Sequence, residues 1–219
     1  KNKPEIGTFM DEWVSLYKSK SGERGIFNRE AAKKTVEKLG ERRDPNHDFG
    51  TNPCSEIILR DREFCNLTEI VVRNDDTLET LKEKQSTLTN FRYLSGEWKK
   101  NCEEERLLGV SLTGVMDNDL TNGRKGSDKL AKLLDELREV AVETNKQYAK
   151  KLGINQSAAI TCVKPSGTVS QLVDAASGIH ARHSDFYVRT VRADNKDPLC
   201  QFMKDKGFYN EPDVMKPDN

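Results

Sequence analysis

Asn52-Pro53-Cys54-Ser55-Glu56 sets an amide, a thiol and a carboxylate at every second position. In an extended segment alternate side chains share a face, so this spacing predicts all three pointing into one cavity. Pro53 stiffens the backbone and biases Asn52 away from helix. A thiol beside a carboxylate resists ionisation, because a second negative charge is disfavoured there. That argues against a thiolate nucleophile and suits a thiol that keeps its proton until a hydrogen atom is removed. Cys65 follows eleven residues later in Phe64-Cys65-Asn66-Leu67, and a hairpin would carry it back toward Cys54. On its own, a cysteine in a loop is more often inert than catalytic.

A second stretch with chemical content is Pro165-Ser166-Gly167-Thr168-Val169-Ser170. Glycine lets backbone N–H groups approach an anion closely, and the hydroxyls add donors. The pattern is not a Walker loop, since no Gly-Lys-Ser/Thr follows, and alone such a stretch is commonly just a turn. His180 and His183 lack a carboxylate or thiol that would complete a metal-ligand set, so no metal site is expected. Arg182, Arg189 and Arg192 read as a solvated face more readily than as phosphate partners. Cys162, in an apolar run, reads as core. Cys102, amid charged residues, and Cys200 read as exposed and incidental.

Elements must position these residues. Ile6, Phe9, Met10, Trp13, Val14 and Tyr17 recur at helical spacing and predict a helix over about 5–18. Asn28 is placed to cap a charged helix over about 29–39, closed by Gly40, after a turn at 21–25. Ile57–Leu59 and Leu67–Val72 read as short strands. Asp75, Asp76 and Thr77 offer caps for a helix into the 80s and on toward Tyr93. Leu107–Met116 reads as a buried segment. Leu130, Leu133, Leu134, Leu137, Val140 and Ala141 stripe a helix over about 128–152, and Gly153 stops it. Ala158–Val163 reads as a buried strand, and another strand is expected near 185–192. Helices and strands alternate, which predicts an α/β fold.

Composition narrows the classes. The 219 residues suffice for one or two domains, and 36 Lys+Arg balance 36 Asp+Glu. That zero net charge excludes a chain-wide basic field for nucleic acid. No apolar run approaches the ~20 residues of a membrane span. Five cysteines without a Cys-x-x-Cys pair point away from a disulfide framework and toward a reduced, cytoplasmic setting. A start at Lys1 and an end at Asn219 without a closing element suggest part of something longer.

Gly50-Thr51-Asn52-Pro53-Cys54-Ser55-Glu56-Ile57 resembles the finger-loop motif of ribonucleotide reductases. Phe64-Cys65-Asn66-Leu67 resembles that family's adenosylcobalamin-dependent (class II) members, where a second cysteine follows closely. The stretches 21–29, Leu107–Met116 and Pro165–Gln171 match further motifs in the expected order. The resemblance implies part of a ten-stranded α/β barrel, with 50–58 as a central finger loop and 164–170 as a phosphate loop. It implies a thiyl radical on Cys54 that abstracts the substrate's 3′ hydrogen. Glu56 would be general base on the 3′-hydroxyl, Asn52 would hold the ribose hydroxyls, and Cys65 would be half of the reducing dithiol. Pro165, Ser166, Gly167, Thr168 and Val169 would bind the substrate's phosphates, mostly through backbone.

The implied cofactor is adenosylcobalamin, with an external dithiol reductant such as thioredoxin. The implied partners are a ribonucleoside tri- or diphosphate, a deoxynucleotide effector bound through regions outside this sequence, and a companion chain completing the barrel. The partner of Cys65, the shuttle cysteines usual in the family, and most of the allosteric site are not present. Between Lys84 and Gln85 the sequence runs shorter than the family pattern. The isolated 219-residue chain is therefore expected not to turn over. The alternatives are a segment of a class I large subunit, a non-catalytic nucleotide-binding piece, and a thiol-based metal protein.

Overall fold

A computed structural model describes residues 3–20, 25–39, 43–83 and 94–213. The chain divides into two compact units, Lys1–Arg182 and His183–Asn219. Several expectations lie outside the described residues: the turn at 21–24, the helix stop at Gly40, and the junction after Lys84 with any helix running on to Tyr93.

In the first unit the apolar repeat forms helix α1 (Ile6–Ser19). Asn28 Oδ1 accepts the Ala31 N–H at 3.0 Å and so starts α2 (Arg29–Leu39), as its position in the sequence predicts. Strands β1 (Gly50–Thr51) and β2 (Ile58–Leu59) pair antiparallel, Gly50 with Leu59 and Thr51 with Ile58. The result is a hairpin whose tip is 52–57. Ala32 and Val36 of α2 bury against Phe49, with Phe27 and Ile58 alongside, so the helix forms a floor under the hairpin.

The main sheet begins with β3 (Asn66–Val71), parallel to β4 (Leu108–Thr113) in a register running from Asn66–Leu108 to Val71–Thr113. Parallel neighbours require a crossover. Here it contains α3 (Leu78–Glu83) and α4 (Gly96–Glu105). The long helix α5 (Ser127–Leu152) follows and ends on Gly153 in the left-handed conformation. Val72, Leu81 and Leu137 form a second core with Leu78, Leu112 and Leu133, which fastens α3 and α5 to the sheet. The buried stripe of α5 runs on through Asn145 and Ala149. Leu134, assigned to its inner face from spacing, is exposed on the wall of an apolar cavity of about 570 Å³.

The segment 158–163 adds to the same sheet as a fragmentary third strand. Leu108 N–H donates to Ala159 O at 2.9 Å, and Cys162 N–H donates to Val110 O at 3.0 Å. It is less buried than its apolar sequence predicts, and Val163 is 63% exposed. The reason is topological: β4 covers one edge, and no described strand covers the other. A short helix α6 (Val169–Leu172) follows.

In the second unit the strand expected near 185–192 does not form. Phe186 and Val188 are exposed, and no described strand pairs with the segment. Its one helix among the described residues is α7 (Pro198–Asp205), which Asp197 caps by accepting the Leu199 N–H at 2.8 Å. The described strands form two two-stranded sheets in an α/β arrangement. No described helix is long and apolar enough to cross a membrane.

Candidate active site

The hairpin tip is a closed turn and not an extended run. Asn52 Oδ1 accepts the Ile57 N–H at 3.0 Å, and Ser55 N–H donates to Asn52 O at 2.9 Å. Ser55 takes a positive φ of 64°. This curvature overturns the expectation that Asn52, Cys54 and Glu56 share one face. Asn52 spends its carboxamide oxygen on closing the turn. Cys54 is exposed at the tip. Glu56 instead faces a cavity of about 170 Å³ with Thr35, Arg43, Ile58 and Leu108 on its walls. Its Oε2 is buried without a hydrogen-bond partner among the described residues.

A charged brace sets the base of this hairpin. Arg43 Nη2 donates to Ile58 O at 2.7 Å, while Arg43 Nε lies 2.9 Å from Glu105 Oε2. Arg60 N–H donates to Glu63 Oε2 at 2.9 Å, and Arg60 Nη2 donates to Asn101 O at 2.9 Å. Two arginines and two carboxylates are thereby buried together, joining the hairpin to α4. Burial, followed by the hydrogen bond shared with Glu105, pushes the Glu63 carboxyl up to about 7. The same brace carries α4 inward with Cys102, which is 1% exposed and not the surface residue its charged neighbours suggest.

Cys65 stands just before β3 and is half-buried. Burial, then the charges of Cys162, Glu56 and Glu63, push its thiol up to about 12. Cys162 is likewise pushed up to about 11, by burial first and then by Glu56. Both half-buried thiols thus feel the charge of Glu56. Gly109 leaves room beside Cys162, because a Cβ there would run into the Leu67 side chain, Cys162 Sγ and the Ile57 side chain. Cys162, read from sequence as plain core, is half-buried on the wall of the apolar cavity that Leu134 also lines. Iodoacetamide at pH 8 is expected to alkylate Cys54 well before Cys65 or Cys162, since the thiolate is the reacting form. Peptide mass mapping of the folded protein reads that order, and equal rates at Cys54 and Cys65 would contradict the placement.

The second motif divides into an inside and an outside. Ser166 and Ser170 are buried. Ser166 Oγ donates to Glu69 Oε2 at 3.1 Å and accepts the Ser170 N–H at 3.2 Å. Gly167, Thr168 and Val169 are exposed. Pro165 carries no N–H, and its carbonyl accepts from Lys164 Nζ at 3.4 Å. Arg182 is exposed, as expected of a solvated face, and is also a clamp: Nε reaches Asp117 Oδ1 at 3.0 Å and Nη1 reaches Asp174 Oδ1 at 2.7 Å. It ties the segment after the loop to the end of β4. Among the described residues no three His, Cys, Asp or Glu side chains gather as a metal site.

Hairpin thiol, neighbouring carboxylate, second thiol before a parallel pair, and a Ser/Gly/Thr loop after the third strand succeed one another along the chain. No family model matches it. Comparison with individual proteins shows that the chain is homologous to a segment of the ribonucleotide reductases. The relatives are, more narrowly, adenosylcobalamin-dependent ribonucleoside-triphosphate reductases. That of Lactobacillus acidophilus is 28% identical over 232 residues, covering 89% of this chain and 30% of its own length. That of Lactobacillus gasseri is 30% identical over 198 residues, covering 77% of this chain and 27% of its own length. That of Euglena gracilis is 31% identical over 177 residues, covering 78% and 24%. A crystal structure of a B12-dependent (class II) ribonucleotide reductase matches with a TM-score of 0.52 and 25% identity, covering 82% of this chain and 28% of that one. The chain therefore spans less than a third of the length of these relatives.

Proposed function

We propose that this chain carries the reacting thiol, the carboxylate base and the phosphate loop of an adenosylcobalamin-dependent ribonucleotide reductase, inside an α/β barrel whose finger loop is 50–58. One observation carries the reading. Glu56 lines a small cavity and keeps a buried carboxyl oxygen without a partner among the described residues, two positions from the exposed Cys54, and its charge acts on the half-buried thiol of Cys65. A carboxyl oxygen buried without a partner is a group waiting for a donor. A ribose hydroxyl is such a donor.

The cofactor's requirement from this chain is a thiol it can reach, and the exposed Cys54 fits it. When bound, adenosylcobalamin supplies the unpaired electron that removes a hydrogen atom from a thiol. Every later role belongs to protein groups. The Cys54 sulfur radical takes the 3′ hydrogen atom of the ribose, restoring its S–H bond and leaving the unpaired electron on carbon. Glu56 accepts the proton of the 3′-hydroxyl, and the 2′-hydroxyl leaves as water with a proton from the reducing thiols. Asn52 orients the hydroxyls. Cys65 and a second thiol from elsewhere in the full protein give the remaining hydrogen, to C2′, and two electrons, closing a disulfide that an external dithiol such as thioredoxin reopens. Cys54 then returns its hydrogen atom to C3′ and is left as the sulfur radical again. A thiol held near 12 remains protonated at neutral pH, as a hydrogen donor must. The exposed Gly167, Thr168 and Val169 would offer N–H groups to the substrate's phosphates, a triphosphate as in the relatives.

A deoxynucleotide effector and any companion chain would act through other parts of a cytoplasmic assembly. The test uses the full-length protein with a ribonucleoside triphosphate, adenosylcobalamin and a dithiol. A 2′-deoxy product that requires all three is expected. Product formed without the cobalamin would favour a class I subunit, and binding without turnover would leave a nucleotide-binding module; either overturns the reading.

A further inference from the structure

We propose that Glu69, on β3, is the positioning residue that shapes the phosphate loop and ties down the lysine beside it. The inference rests on the loop reading above and deepens it. Glu69 is almost fully buried, with a side chain 6% exposed, and it spends both oxygens on the loop. Oε1 lies 2.9 Å from Lys164 Nζ, and Oε2 accepts the Ser166 hydroxyl at 3.1 Å. A buried carboxylate held by an ammonium and a hydroxyl is fully satisfied, and removing it leaves both partners without their acceptor.

The rest of the loop's inner side is wired by neutral hydroxyls. Lys164 N–H donates to Ser111 Oγ at 2.9 Å, and Ser170 Oγ donates to Ser166 O at 3.1 Å. Ser177 Oγ also donates to Ser166 O. Gly178 N–H donates to Thr113 Oγ1 at 2.9 Å, which joins the following segment to the end of β4. Glu69 and Lys164 are the charged pair of this network. Their bond spans from β3 to the third-strand segment across the small side chain of Ser111 on β4. With Ser166 drawn inward, the next three residues, Gly167, Thr168 and Val169, are exposed. Lys164 is held inside by its carboxylate and does not serve as a free cation for the substrate. Phosphate recognition then falls to main-chain N–H groups and the Thr168 hydroxyl, in a shape that Glu69 maintains.

The full-length protein is titrated with a ribonucleoside triphosphate and with the corresponding unphosphorylated nucleoside. Glu69→Ala is expected to weaken the triphosphate about tenfold or more, close to the loss of one charge-assisted contact, and to leave the nucleoside unchanged. Glu69→Gln keeps an acceptor for Ser166 and is expected to recover part of the loss. KM rises in proportion while kcat falls less. Hydrogen exchange of the 164–170 amides without nucleotide should quicken in Glu69→Ala. Should that variant fail to fold, Ser166→Ala, which deletes only the hydroxyl from the brace, carries the same two measurements. Triphosphate affinity and amide exchange equal to wild type in a folded variant would overturn the role of Glu69. If wild type itself binds triphosphate no better than nucleoside, the phosphate-loop reading fails instead, and unchanged amide exchange then removes the brace as well.

Discussion

Replacing Cys54 by alanine in the full-length protein is expected to lower deoxynucleotide formation by ~10³-fold or more while nucleotide affinity stays within a factor of about two. The asymmetry follows from where the residue sits. Cys54 is exposed at a turn whose hydrogen bonds run through Asn52, Ser55 and Ile57, so its Sγ is not needed to hold the hairpin. Surface changes of this kind shift stability by less than ~0.5 kcal/mol. Loss of turnover would therefore report chemistry and not unfolding. The decisive measurement is exchange of the substrate's 3′ hydrogen, because removal at that carbon is the step the proposed mechanism gives to Cys54. Exchange retained in the variant would refute the assignment. Cys102→Ala makes the control: it is buried in α4, and its loss should cost stability without touching exchange.

The family resemblance was more legible in the sequence than the geometry of the residues that carry it. Period and punctuation decided α5, where a leucine stripe ends at Gly153, and α2, where Asn28 caps the first turn. These are local devices acting within a few residues. The alternation argument at Asn52, Cys54 and Glu56 failed because it assumed an extended backbone. Asn, Pro and Ser in that run are turn formers, and Asn52 closes the turn with its own side chain. Composition carried that signal, and the spacing masked it. Cys102 was misplaced for a different reason. Its helix is charged nearly all round, and it is carried inward by Arg43 and Arg60 meeting Glu105 from more than forty residues away. No local pattern encodes such a pairing. The same holds for Glu69, an unremarked residue of a short strand whose partners lie almost a hundred residues on. The absent strand at 185–192 shows the converse: apolar, β-branched residues favour a strand only where a neighbouring edge accepts it.

Gly114→Ala is expected to destabilise the first unit by roughly 3 kcal/mol or more, adding backbone strain to overpacking. Gly114 ends β4 with φ 78°, a left-handed conformation that L side chains rarely adopt. A Cβ there would also collide with the carbonyl oxygen of Val72, and that is backbone which cannot rotate away. Val72 itself is held by donating its N–H to Thr113 O at 2.8 Å, so relief would require parting β3 from β4 at their ends. Gly153→Ala supplies the contrast. It too has a positive φ, of 63°, but nothing lies within 4 Å of its added Cβ, so only the conformational cost of about 1 kcal/mol remains. Urea unfolding of the two variants should separate them by about 2 kcal/mol, and equal midpoints would refute the packing argument. The consequence reaches the site. Gly114 N–H donates to Ala176 O at 2.8 Å and Val115 N–H donates to Gly178 O at 3.3 Å, holding the segment that follows the proposed phosphate loop. Folded Gly114→Ala protein should accordingly bind triphosphate more weakly than Gly153→Ala, because the strand end that it displaces is what seats the loop.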